Sequence, residues 1–263
     1  MDESKFIMQS NQVTLSKINL KNIYERRLIN AFIDSLSPYL EAQFNKAYET
    51  PVGIHTKDYK VPAIGSNESI HCVYRLSDIE SNHQNYSRLK TAIKKLRKTD
   101  IDIVTQERTE IFIRLIEYIS IIHHDEFFEV RIGLTAYQFL CDLSKGYSFK
   151  HLKTSLELES LHSSNIYDLI CKWRNKPTVQ IDLEELRFIT NTEGKYPATK
   201  DFKKRVLDSA KHELDKSDFT DLTFKYEDIK VGKRITGFKF TIIHTDKDAL
   251  EQTKLTENTS HDG

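Results

Sequence analysis

No stretch of this chain is apolar enough to span a bilayer. The longest apolar-rich run, IFIRLIEYISII (111–122), is broken by Arg114 and Glu117, well short of the ~20 apolar residues a membrane helix needs. The first residues, MDESKFIMQSNQ, lack the basic-then-apolar pattern of a secretory signal. Cysteine is scarce: Cys72, Cys141 and Cys171 are odd in number and far apart, with no CxxC spacing. That argues against a disulfide framework or a zinc knuckle and for a reducing compartment, so a cytoplasmic location is expected. The N-x-[ST] matches at Asn67, Asn85 and Asn258 are then chance. Net charge is missing as well. The 39 Lys+Arg balance 39 Asp+Glu, and the pI is near 7.2. A small domain that binds a polyanion often has a pI above about 9. Any such surface here has to come from segregated charge, not from an excess.

The signatures of catalysis are also absent. No G-x-x-x-x-G-K-[ST] occurs; Gly194-Lys195 and Gly232-Lys233 lack the upstream glycine, which argues against a P-loop ATPase. Enzymes that nick DNA with a tyrosine need two metal-binding histidines flanking one apolar residue, and no His-x-His is present. Tyr86 and Lys90 make only a Y-x-x-x-K. His123-His124-Asp125 reads as a turn, since adjacent side chains in a strand point to opposite faces. Asp182, Glu184 and Glu185 read as an acidic helix start. No catalytic set, metal site or cofactor is expected.

What is present is helical and strand periodicity over a length, 263 residues, that suits one large domain or two small ones. In the first half, NIYERRLINAFIDSL (22–36) has a helical stripe, with Pro38 after its expected end. Residues 45–70 read as loop with a short strand. VYRLSDIE (73–80) reads as a strand and a brief helix. NYSRLKTAIKKLRK (85–98) reads as a longer helix with Leu89, Ala92, Ile93 and Leu96 on one face. IDIV (101–104) and the strand-like 111–122 follow, then a turn at 123–126 and FFEVRI (127–132), which predicts a hairpin. LTAYQFLCDL (134–143) reads as a helix. KGYSF (145–149) holds the only glycine between Gly133 and Gly194 and marks a boundary. The second half repeats the order: helix 160–174, strand 178–182, short helix 183–189, helix 199–216, and a hairpin of 222–229 and 235–243. Helix, short strand, short helix, longer basic helix and hairpin is the order of a winged helix. The expected fold is α+β with two tandem winged-helix domains, at 1–144 and 150–245, and a disordered tail at 246–263.

Charge is segregated on the two longer basic helices. On a wheel of about 100° per residue, Phe202, Val206, Leu207, Ala210 and Leu214 form one apolar arc. Lys200, Lys204 and Lys211 line one edge, and Arg205, Ser209 and His212 lie toward the other. Lys203 falls inside the arc and is expected to snorkel past the helix end. These cations gather at the N-terminal end, where the helix dipole disfavours them and where a recognition helix enters the major groove. Lys230, Lys233 and Arg234 at the hairpin tip are placed to track phosphates. Helix 85–98 carries Arg88, Lys90, Lys94, Lys95, Arg97 and Lys98 opposite its apolar face with no intervening acid. A purely solvated face, or a surface for a protein partner, has the same pattern.

The stretches NIYDLICKW, IDLEELRFIT, YPATKDFKKRVLDSAKHEL and LTFKYEDIKVGKRITGFKFTI together resemble the C-terminal pattern of the iteron-binding plasmid replication initiators, the Rep proteins of theta-replicating plasmids. The first half resembles that family's N-terminal winged helix in element order more than in residues. The resemblance implies two winged-helix domains. It implies binding of origin direct repeats as a monomer, melting of adjacent DNA, and recruitment of host replicative helicase and initiator proteins. It further implies a homodimer in equilibrium with the monomer, made through the N-terminal domain, that represses its own gene at an inverted repeat. Some relatives have Arg where helix 200–214 has Lys. Arg reads guanine bidentately better than Lys, so Arg205 leads the base-reading candidates, followed by Lys200 and Lys204. A winged-helix repressor without an origin role and a nicking initiator are the alternatives.

Overall fold

The structure is a computed structural model and describes residues 5–44, 54–55, 59–61, 70–98, 100–122 and 126–245. The expected tail at 246–263 and the turn at His123-His124-Asp125 lie outside those residues. The chain divides into two compact units, Ile7–Phe149 and Lys150 onward, and Lys5 and Phe6 belong with the second.

The first unit begins with β1 (Phe6–Ser10), α1 (Asn11–Leu15), β2 (Lys17–Ile18) and α2 (Ile23–Phe44). A reciprocal cap starts α2. Asn22 Oδ1 accepts from the Glu25 N–H at 3.1 Å, and Glu25 accepts from the Lys21 N–H at 2.7 Å, satisfying amides the helix cannot bond itself. The helix does not stop before Pro38, as the sequence suggests, but continues to Phe44. Proline forfeits one ladder bond, here to the Asp34 carbonyl. A stripe as buried as Leu28, Ile29, Phe32, Ile33 and Leu36 sustains a helix across that loss.

Next come β3 (Ile54–His55), β4 (Tyr59–Val61), β5 (Ile70–Arg75), α3 (Tyr86–Lys98), β6 (Ile101–Val104), β7 (Glu110–Ile113), β8 (Ile116–Ile122), β9 (Phe127–Ile132), α4 (Leu134–Leu140) and β10 (Tyr147–His151). The apolar run 111–122 is not one strand. It breaks at Arg114 and Leu115, so β7 joins the sheet β2-β6-β7 while β8 joins β3-β4-β5-β9-β8. Leu115 is buried and Arg114 Nε donates to Asp100 at 2.8 Å, which anchors the corner. The core lies where Tyr74 stacks on Phe128 at 5.4 Å and meets Phe32 at 5.7 Å, with Leu89, Ile93 and Leu96 of α3 also buried.

The second unit contains α5 (Leu152–Glu157), α6 (Leu161–Lys172), β11 (Thr178–Asp182), α7 (Leu183–Ile189), α8 (Thr199–Phe202), a π-helical segment (Lys203–Asp208), α9 (Ser209–Lys216), β12 (Leu222–Val231) and β13 (Arg234–His244). Phe202, Val206, Leu207, Ala210 and Leu214, the stripe expected from the wheel, are all buried, as are Phe224, Phe238 and Phe240. Each such aromatic contributes roughly 1.5–3 kcal/mol of burial. Gly237 pairs with Asp182 across β11 and β13. A Cβ there would lie 2.5 Å from the Ile181 carbonyl oxygen, so this close approach requires glycine. A buried polar network ties down the start of the unit. Lys150 Nζ pairs with Asp168 at 2.9 Å, Tyr167 donates to Asp221 at 2.6 Å, and Arg174 also pairs with Asp221. The Phe6 ring meets His151 edge-on at 5.3 Å and lies beneath the Arg174 guanidinium.

The units share a topology that the sequence shows only as a repeated order. In the first, the strand before the helices, β5, pairs antiparallel with the second hairpin strand, β9, which pairs with β8. In the second, β11 pairs with β13, and β13 with β12. The order β5-β9-β8 thus corresponds to β11-β13-β12. In the first unit β3 and β4 extend the sheet, and the β6–β7 hairpin is inserted between helix and wing.

Candidate nucleic-acid interface

The helix running from Thr199 to Lys216 is positioned by the turn that precedes it. Between α7 and α8, Asn191, Gly194 and Tyr196 have φ of 53°, 73° and 51°. Asn and Gly accept the left-handed region readily, whereas for Tyr it costs about 1–2 kcal/mol. Tyr196 also precedes Pro197, which favours extended backbone. Arg187 holds this conformation. Its Nη1 donates to the Lys195 carbonyl at 2.7 Å and its Nη2 to the Tyr196 carbonyl at 2.8 Å. Its guanidinium lies 4.7 Å from the Phe202 ring centroid, linking the turn to the buried start of the next helix. Thr190 and Thr192, both buried, share a 2.9 Å hydroxyl bond.

Within the helix, Lys203–Asp208 is π-helical, a form rare outside single turns and frequent at functional sites. It carries Lys203, Lys204 and Arg205. Lys203 does not snorkel past the helix end. Its Nζ pairs with Asp228 of β12 at 2.8 Å and lies 5.5 Å from the Tyr226 ring centroid. A wheel of constant pitch places Lys203 in the apolar arc, whereas its ammonium reaches Asp228 on the wing strand. Tyr226 donates to Asp208 at 2.5 Å. Burial and that bond to Asp208 raise the phenol's pKa well above its ordinary value. Lys211 pairs with Asp215, which also accepts from Thr223 at 2.6 Å. Burial pushes the Asp215 carboxyl upward, but these two bonds outweigh it and hold it below its ordinary value. Lys203 and Lys211 therefore belong to a polar seam between helix and wing. As site residues Arg187, Tyr196, Tyr226 and Asp228 were missed by the sequence reading; the Gly194-to-Pro197 turn was the signal for Tyr196, and strand alternation placed Tyr226 only in the wing.

Lys200, Lys204 and Arg205 are exposed. Among the described residues, Lys200 and Lys204 have no hydrogen-bond or ion-pair partner, and Arg205 meets only the Tyr196 ring, 5.6 Å from its guanidinium carbon. Ala198 stands at the helix N-cap and offers no side-chain acceptor. At the wing, Gly232 has φ 61° and precedes Lys233 in a two-residue turn between Val231 and Arg234, which pair with each other. Glycine first in a two-residue hairpin is the type II′ pattern. Lys233 and Arg234 are exposed at its tip, while Lys230 lies 4.0 Å from Asp228. In the first unit Arg88 and Lys94 of α3 are exposed and Lys90 is half-buried. Lys95 is 3.5 Å from the buried Glu25. Asp182, Glu184 and Glu185 sit at the N-terminus of α7, where the dipole favours acids.

A strand, a helix-turn-helix and a hairpin paired back onto that strand, present twice, define a tandem winged-helix protein. Residues 6–171 match the family model described as "Initiator Replication protein, WH1", and residues 182–242 match "Initiator Rep protein, WH2". The chain belongs to this family of initiator Rep proteins and is a DNA-binding initiator of replication. Among solved structures it is similar to the Pi initiator protein, crystallised in complex with iteron DNA. The TM-score is 0.67 at 19% identity, over 94% of this chain and 100% of that one, a likeness of fold. Domains 2 and 3 of RctB align over 91% of this chain and 90% of theirs, with a TM-score of 0.45 and 11% identity. No curated protein matches by sequence. Among the described residues, no helix is long and apolar enough to cross a membrane.

Proposed function

We propose that the second unit reads direct repeats in duplex origin DNA; the Pi initiator, similar in fold, was crystallised in complex with iteron DNA. One observation carries this reading: Lys200, Lys204, Lys233 and Arg234, which have no hydrogen-bond or ion-pair partner among the described residues, occupy the start of the helix that follows Ala198 and the wing tip. Arg205 stands beside them and reads a base. Lys230, Lys233 and Arg234 neutralise phosphates, and Lys203 and Lys211 hold the helix to the wing. The first unit adds phosphate contacts through Arg88, Lys90, Lys94 and Lys95 and supplies the homodimer contact. Binding opens adjacent DNA and recruits host helicase and initiator proteins, and the dimer represses its own gene. The protein acts in the cytoplasm without a cofactor and does not cut DNA.

The test is to incubate the protein with supercoiled plasmid carrying its origin and Mg²⁺ or Mn²⁺, then to map unpaired thymines with permanganate. Local melting beside the repeats, with the plasmid still supercoiled, is the expected outcome. Binding without melting would favour a repressor. Site-specific relaxation abolished by a single Tyr→Phe change would establish a nicking enzyme instead.

A further inference from the structure

We propose that Tyr196 is the positioning residue for Arg205, and that the turn before the helix presets the side chain that reads the base. The inference rests on the reading of Arg205 given above and adds how its guanidinium is aimed. Three observations converge on Tyr196. Its backbone sits in the left-handed region at φ 51°, although a bulky residue before proline disfavours it. Strain of this kind persists only where the surroundings over-determine it, and it clusters at functional sites. Arg187 supplies that determination through its two bonds to the Lys195 and Tyr196 carbonyls.

The ring meets two side chains. His162, on α6, meets it edge-on at 6.0 Å, and Arg205 lies 5.6 Å from its centroid on the other contact. His162 is itself tied to the Thr190 carbonyl at 3.2 Å. The chain of contacts therefore runs from the helix-turn-helix scaffold, through an aromatic ring, to an exposed guanidinium with no other partner among the described residues. A guanidinium stacked on a ring keeps its donor edge open, so the ring limits the rotamers Arg205 samples without consuming its donors. The order of residues fits this role. Tyr196 precedes the helix in the left-handed turn, and Arg205, within the π segment, meets its ring. The Tyr196 hydroxyl has no hydrogen-bond partner among the described residues, so the ring alone performs this task.

The experiment uses the full chain, the preferred site selected by the unaltered protein from a randomised library, the single-base-pair variants of that site, and a shuffled duplex of the same composition. Arg205→Ala should lower the preferred-over-shuffled ratio by about 5- to 150-fold, the range for one base contact, with the loss confined to one base pair. Tyr196→Gly keeps the left-handed backbone without strain and removes only the ring. It should lower the ratio by about 2- to 5-fold, the scale of an exposed cation–π contact, at that same base pair. Tyr196→Phe should restore the ratio. In the Arg205→Ala background Tyr196→Gly should cost nothing further. Thermal unfolding of each variant separates these effects from misfolding. Loss on both duplexes alike, loss at a different base pair, or an additive double variant overturns the inference. An Arg205→Ala protein with unchanged preference removes the base-reading role and the inference together. A strong Arg205→Ala effect beside a silent Tyr196→Gly removes the inference alone.

Discussion

Lys203 and Arg205 stand two positions apart and face different environments. The Lys203 ammonium is bound to Asp228 at 2.8 Å; among the described residues the Arg205 guanidinium meets only the Tyr196 ring. Their substitutions should separate accordingly. Lys203→Ala and Asp228→Ala should each cost about 0.2–1 kcal/mol of stability, as part-exposed pairs do, and their double-mutant cycle should be non-additive. Arg205→Ala should cost no more stability than an exposed cation–π contact, about 0.5–1 kcal/mol, and remove roughly 1–3 kcal/mol of specific binding. His162 supplies a pH dependence. Burial holds its imidazole below the ordinary 6.5, against the opposing bond to the Thr190 carbonyl. The unfolded chain takes up this proton as pH falls through 6.5 while the folded chain does not. The stability is therefore present above that pH and lost below it. Calorimetry from about pH 7.5 to about pH 5.5 should show a fall in Tm that is shallower in His162→Asn.

At the scale of elements, the wing and the sheet behind it make separate demands. The tip carries Lys233 and Arg234 on a two-residue turn. A phosphate contact there predicts that Lys233→Ala weakens selected and shuffled duplexes alike and lowers the salt slope of log K by about 0.9. Gel-shift titrations over a salt series measure both. Behind the tip, β13 approaches β11 so closely at Gly237 that a methyl group meets backbone, not a flexible side chain. Gly237→Ala should cost about 1–3 kcal/mol, as overpacking does. The loss should appear in urea unfolding before any effect on DNA contacts.

For the whole molecule, zero net charge means that DNA affinity has to be built from local fields. Arg88, Lys90 and Lys94 on α3 form the second basic surface; Lys95 is partly satisfied by Glu25. If α3 lies along the backbone of the duplex, the triple Ala variant should lower the salt slope by up to about 2.7 with sequence preference retained. An unchanged slope, with a defect only in plasmid replication, would assign the stripe to a protein partner and leave DNA binding to the second unit.

Element types and their order in both halves were legible because periodicity is local. The stripe from Phe202 to Leu214 predicts a buried helix face, and Phe224, Tyr226, Phe238 and Phe240 predict paired strands. The basic residues of the second helix were legible as a cluster for the same reason. Which of them stay free was not, because that depends on residues far away in the chain. Asp228 takes Lys203 across 25 positions, and the π segment that begins at Lys203 has no signature in a wheel of constant pitch. The split of 111–122 between two sheets and the helix continuing past Pro38 were hidden likewise, since a strand's partner and a helix's buried face are set by packing. Tyr196 appears in the sequence only as a residue before proline in a polar turn. Only the folded chain shows its left-handed backbone, the Arg187 bonds to the Lys195 and Tyr196 carbonyls, and its ring against Arg205, because these contacts are set by packing.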